Sequence, residues 1–110
     1  MADHSIDIRE GSIIGWIRSN PQRSSWSSSV STRIAVLRAV EGSIELTISQ
    51  EGSLRAVLAL DGKGQKEIAY DLAHLDPGEP HQVGLVWSLK TREFKLILDG
   101  SVVVTTELVF

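Results

Sequence analysis

Residues 81–106 read HQVGLVWSLKTREFKLILDGSVVVTT, and the reading of this stretch decides the fold. Side chains alternate faces along an extended chain, so Val83, Leu85, Trp87 and Leu89 share one side of a first segment. Phe94, Leu96 and Leu98 share one side of the next. Lys90 to Glu93 is a polar connection centred on Thr91-Arg92, which predicts a hairpin with one apolar face. Asp99-Gly100 tolerates positive φ and predicts a tight turn, after which Ser101 to Thr106 returns as a third strand. Such a meander must bury its apolar face against a second layer.

A length of 110 residues is enough for one domain with a single core, taken as residues 1–110. Cysteine is absent, which removes disulfides, thiolate chemistry and cysteine-ligated metals. Met1-Ala2-Asp3-His4-Ser5 shows no basic region followed by an apolar run, so no signal peptide is expected. No apolar stretch approaches the ~18 residues needed to span a bilayer. The compartment is left open. The 11 basic and 14 acidic residues give a formal charge of −3 and are interspersed. They create no cationic field for phosphate backbones or anionic lipid, which argues against nucleic acid and membrane as partners and for a solvated surface of mixed charge.

Along the chain, Asp3 to Arg9 alternates weakly and is expected as a short edge strand, turned by Glu10-Gly11-Ser12. Ile13 to Ile17 follows as a compact apolar segment holding Gly15 and Trp16, and it ends at Asn20-Pro21. Residues 21–32 form a serine-rich loop in which Trp26 stands alone among hydroxyl side chains. Strands are expected over Arg33 to Val40, Ile44 to Ser49, Leu54 to Leu60 and Glu67 to Leu72, separated by Glu41-Gly42-Ser43, Gln50 to Ser53 and Asp61 to Gly64. Asp71 to Leu75 suits a short helical turn, and the proline pair Pro77 and Pro80 keeps the next segment out of a central strand. Glu-Gly-Ser recurs at Glu10, Glu41 and Glu51, which reads as one turn chemistry reused. About eight short strands between glycine-marked turns predict an all-β antiparallel sandwich or small barrel.

The run from His81 through Asp99-Gly100 to Val103 resembles the hallmark of concanavalin A-like lectin/glucanase domains, the laminin-G-like group above all. His81 and Gln82 stand where that family has a histidine pair, Val83 and Leu85 at its aliphatic positions, Trp87 at its later aromatic, and Ile97-Leu98-Asp99-Gly100 at its turn. Ser12 to Ile17 is similar to the family's early strand, and Gly42 to Leu60 to its two central strands. Pro80 occupies the place of the family's leading tryptophan, and Ile97 replaces an aromatic often exposed on the concave face. The resemblance covers most of residues 11–106 and implies an abbreviated antiparallel β-sandwich of jelly-roll type, either minimal or completed by another chain.

Glucanases of this broad fold carry acids on alternate positions of one concave strand, so that one carboxyl protonates the leaving oxygen while another attacks or activates water. Glu41 with Glu45, and Asp7 with Glu10, do not offer that spacing, so no enzyme activity and no catalytic residue is expected. Gly-x-Ser-x-Gly is absent, and Gly62-Lys63-Gly64 is too short for a phosphate loop. His4, His74 and His81 are scattered, and His74 beside Asp71 and Asp76 is the nearest approach to a metal set. The family contains calcium-binding members, but no ligand set carries over onto Asp61, Asp71, Asp76 or Asp99, so no metal or cofactor is assigned. Asp99 is expected to cap its own turn. For a sugar, which offers apolar ring faces beside hydroxyls, Trp26 is the candidate platform, with Arg23 and Arg92 as donors. Trp16 and Trp87 are expected in the core, and Tyr70 there with its hydroxyl at the rim.

Two functions follow. The first is a non-catalytic recognition module for carbohydrate or protein. The second is a structural role in which the chain homo-oligomerises, a homodimer being the simplest case, through a sheet edge or apolar face. Val102, Val103 and Val104, apolar on both alternating faces, and Phe110 in the tail are its candidate interface.

Overall fold

A computed structural model describes residues 9–17, 26, 32–75 and 79–110. The described residues form two four-stranded antiparallel sheets packed as a sandwich. The strands are β1 (Glu10–Ile17), β2 (Thr32–Ala39), β3 (Gly42–Ile48), β4 (Ser53–Leu60), β5 (Gly64–Asp71), β6 (His81–Ser88), β7 (Glu93–Leu98) and β8 (Ser101–Glu107). Sheet I runs β1-β6-β7-β8, and sheet II runs β2-β3-β4-β5. The meander expected over residues 81–106 is thus three-quarters of sheet I. The layer that covers it is the other run of hairpins, β2 to β5. Among the described residues no helix is long and apolar enough to cross a membrane.

Period-two alternation accounts for the core. Val83, Leu85 and Trp87 on β6, with Phe94, Leu96 and Leu98 on β7, point into the same interior as Ile44, Leu46, Leu54, Ala56 and Leu58 of sheet II. Each fully buried Leu or Ile contributes about 1.5–3 kcal/mol relative to leaving it in water. The outward positions of sheet II mix charged pairs with Val36 and Val57: Arg33 lies 3.5 Å from Glu45, and the Arg55 guanidinium bonds the Glu67 carboxylate. The β7–β8 hairpin closes through Asp99 and Gly100, both at positive φ (49° and 84°), which matches the twist of the strands it joins.

Several local expectations shift. Glu10-Gly11-Ser12 is no turn; it opens β1, with Gly11 paired to Trp87 in the ladder. A Cβ on Gly11 would meet the Trp87 ring at 2.8 Å, so this glycine leaves room for an aromatic neighbour. Glu41 does lie in a turn, but Gly42 is already in β3, and Gly52 turns at φ 86°. One tripeptide therefore serves three different backbone tasks. Of the short helical turn expected over Asp71 to Leu75, Asp71 closes β5 and Ala73 to Leu75 form a turn and a bend, with a Leu75 N–H to Leu72 carbonyl bond of 2.9 Å. The edge strand expected from Asp3 lies outside the described residues except for Arg9, whose carbonyl accepts the Leu89 N–H at 2.6 Å.

Gly42 is packed against the β4 backbone: an added Cβ would fall 2.1 Å from the Ala59 carbonyl oxygen. Backbone on that side cannot rotate away as a side chain would. Gly42→Ala is expected to destabilise by about 3 kcal/mol or more. Gly15→Ala, with nothing within 4 Å of its new Cβ, is expected to be neutral or to gain about 0.5–1 kcal/mol. Urea denaturation of both variants measures the difference.

Candidate functional site

Three places on the sandwich carry chemistry, and each follows from a strand position. The first is a clamp where β6 begins. His81 is buried, and its Nδ1 lies 2.8 Å from Asp99 Oδ2. A carboxylate only accepts, so Nδ1 carries the proton of this bond. Asp99 Oδ1 accepts the Gln82 N–H at 2.9 Å, and the Asp99 N–H returns to the Gln82 carbonyl at 2.8 Å. Asp99 thus ties the β7–β8 turn to the first two residues of β6 instead of capping its own turn. The His81 hydrogen bond first, and the Gln82 N–H second, hold its carboxyl below the ordinary value.

Trp26 belongs to this clamp. Its ring is 6% exposed, its indole N–H reaches the Leu75 carbonyl at 3.2 Å, and its centroid lies 6.1 Å from that of His81. The expected sugar platform is therefore corrected: a ring buried at this depth, with its one donor engaged, shows no open face to a ligand. Arg23 lies outside the described residues. Tyr70, half-buried, bonds His74 Nε2 through its hydroxyl at 3.1 Å. Among the described residues no group of three or more His, Cys, Asp or Glu is placed to hold a metal ion.

The second place is the outward face of sheet I. Ladder register puts Ile14, Gly84, Ile97 and Val102 in one row across all four strands. Ile14 is 69% exposed and Val102 54%. Trp16, two residues on from Ile14, is 66% exposed and pairs with Gln82. This corrects the expectation that Trp16 is core. In β1 the inward parity belongs to Ile13, Gly15 and Ile17, so Trp16 has to face out. The far end of the same face is charged, with Glu10, Glu93 and Glu107 in one row. Lys95 lies 3.5 Å from Glu93, and Arg92 3.9 Å from Glu107, so two of the three acids have a cation beside them.

The valine run is divided by a bulge. Leu96 pairs with Val104 and Ile97 with Val102, leaving Val103 as the extra residue. Two residues of β8 then oppose one of β7, and Val103 and Val104 both pack against the core. Of the candidate oligomer set Val102, Val103, Val104 and Phe110, only Val102 lies on the outward face. Adjacent apolar residues here need no partner chain to explain them.

The third place is a groove of about 600 Å³ at the end of the sandwich opposite the clamp. The β4–β5 turn, the β6–β7 turn and the segment after β8 converge there. Arg92, the surviving candidate donor, lines it together with Lys63 and a partly exposed Phe110. The sequence weighed Lys63 only within Gly62-Lys63-Gly64, too short for a phosphate loop; the fold makes it line the same groove as Arg92.

These features define an antiparallel β-sandwich whose fold is similar to that of laminin G-like domains. The solved structure of the mouse laminin alpha1 chain, domains LG4-5, aligns with a TM-score of 0.59 and 19% identity over 96% of this chain. The aligned region is 33% of that chain, so the present sequence spans about a third of the length of the structure it resembles. The likeness is one of fold. A scan against family models and a search of curated proteins give no match.

Because the Asp99 carboxyl is held below 3.8, its stabilising contribution is complete above that value and is lost as pH falls through the depressed one. Asp99→Asn is expected to lower the melting temperature at neutral pH and to flatten the loss of stability as pH falls below about 4. Thermal melts of both proteins across that range check it; identical acid limbs would contradict the clamp.

Proposed function

We propose that this chain is a non-catalytic recognition module that binds carbohydrate or protein through the outward face of sheet I. The observation that carries the reading is Trp16, two-thirds exposed and fixed on a strand instead of a loop. A large aromatic ring in water is poorly accommodated unless a ligand covers it, and on a strand it loses little further freedom on binding. Gln82 opposite it supplies an amide that both donates and accepts, which suits hydroxyls beside an apolar sugar face. Ile14 extends the apolar surface. The laminin-G-like fold supports the same class of function by analogy.

The acids do not favour hydrolysis. Glycoside cleavage uses two carboxyls on either side of the scissile bond. Glu93 and Glu107 are instead neighbours on an exposed face, each beside a cation.

A second reading has its own observation, the row Ile14, Gly84, Ile97 and Val102 that crosses the whole sheet. A second copy laid over that row would bury it, making the chain a homo-oligomer.

Trp26 and Trp87 are buried, so a change in tryptophan emission on titration with neutral oligosaccharides or a protein ligand should come from Trp16. Trp16→Ala is expected to remove that signal and weaken binding by about 2 kcal/mol or more, roughly thirtyfold. Saturable binding left unchanged by the substitution would refute this face as the site. For the second reading, light scattering with size exclusion is expected to show a dimer or larger species that Val102→Lys dissociates; a monomeric parent protein would count against it.

A further inference from the structure

The groove at the end opposite the clamp is separate from the Trp16 face, and its chemistry is different. Leu60 and Leu108, both buried, and Leu89, packed against the core, supply its apolar part, while more of its exposed lining is polar. Phe110, 44% exposed, forms a side wall. Lys63 and Arg92 stand among these residues, and no acidic side chain of the described residues lines the groove. Its volume lies within the range of small-molecule sites.

Both cations are available to a ligand. Arg92 has one acidic neighbour, Glu107, at 3.9 Å with both side chains about two-thirds exposed, a separation and exposure at which an ion pair is weak. Lys63 has no ion-pair partner among the described residues. The backbone at Arg92 adds an independent observation. Its φ is 61°, a left-handed conformation that glycine adopts freely and a long side chain does not. Asp99, the other non-glycine described residue at positive φ, uses its side chain to tie the turn to β6. No equivalent tie from the Arg92 guanidinium to a neighbouring backbone accounts for arginine here. The Arg92 carbonyl accepts the Leu108 N–H at 2.9 Å, which fixes the root of the side chain against the groove floor.

We propose that this groove binds a small amphiphilic anion. Its single anionic head sits between Lys63 and Arg92, and its apolar body lies along Leu60, Leu89, Leu108 and Phe110. The charge balance selects this class. Two local cations suit one head group, while the formal charge of −3 on the chain repels a polyanion such as a nucleic acid. The apolar side chains of the lining add nothing to the binding of a free inorganic anion, and the cations give an uncharged chain no head-group contact. Binding here does not involve Trp16, so the two sites succeed or fail separately.

The test is a titration of the whole chain with sodium octanoate, octanol and sodium sulfate, followed by amide chemical shifts. Octanoate is expected to saturate, with shifts confined to residues 60–64, 88–93 and 108–110, and to bind about tenfold or more tightly than octanol or sulfate, as a charge-assisted contact implies. Lys63→Gln with Arg92→Gln should remove that advantage and leave octanol binding unchanged. Glu107→Gln, which frees Arg92, should tighten octanoate binding. Arg92→Gly should raise the melting temperature while weakening octanoate, since it relieves the backbone and deletes the cation together. Octanoate that fails to saturate, that shifts the Trp16 face instead, or that binds the double variant as it binds the parent overturns the proposal.

Discussion

Everything in this molecule depends on two sets of alternate side chains sharing one dry layer. Val83, Leu85, Trp87, Phe94, Leu96 and Leu98 leave sheet I on one side only, and Ile44, Leu46, Leu54, Ala56 and Leu58 leave sheet II on one side only. Neither sheet has enough apolar surface to fold alone, and each supplies the cover the other lacks. Because the side-chain period is two, this single constraint also determines which residues are turned out. The outward faces are by-products of the core, and their chemistry can be read once the inward parity of each strand is known.

The two outward faces differ, and the difference organises the functional surfaces. Sheet II turns out arginine–glutamate pairs that alternate with Val36 and Val57. Sheet I turns out an apolar row and a tryptophan at one end and paired charges at the other. The ends of the sandwich differ as well. At one, Asp99 locks the β7–β8 turn onto His81 and Gln82 of β6, with the Trp26 ring beside His81. At the other, a Leu108 N–H to Arg92 carbonyl bond ties the segment after β8 to the β6–β7 turn, and these line a groove with the β4–β5 turn. Rigid support at one end and an open concavity at the other is an arrangement in which binding places little demand on the core.

Most of the fold was legible because strand periodicity and glycine-marked turns are local signals. All eight strands contain apolar positions recurring at every second residue, and β6 to β8 carried the family resemblance through His81, Trp87 and Asp99-Gly100. Sites were less legible, for physical reasons that differ by residue. Ile13 to Ile17 is apolar at nearly every position, so composition placed Trp16 inside although its parity places it outside. Trp26 sits in a polar stretch, and only its long-range bond to Leu75, 49 residues away, shows that the ring is buried. The bulge at Val103 is a register defect that alternation cannot anticipate. Lys63 and Arg92 are brought together by the stacking of two sheets, a relation with no trace in the local sequence.

The central claim is that both sheets stand or fall as one cooperative unit around a common interior. Native-state hydrogen exchange tests it most directly. Amides of Val83 to Trp87 and Phe94 to Leu98 in sheet I, and of Ile44 to Leu46 and Leu54 to Leu58 in sheet II, should exchange with the same free energy, equal to that of global unfolding. Protection that persists in one sheet after the other has opened would contradict the account.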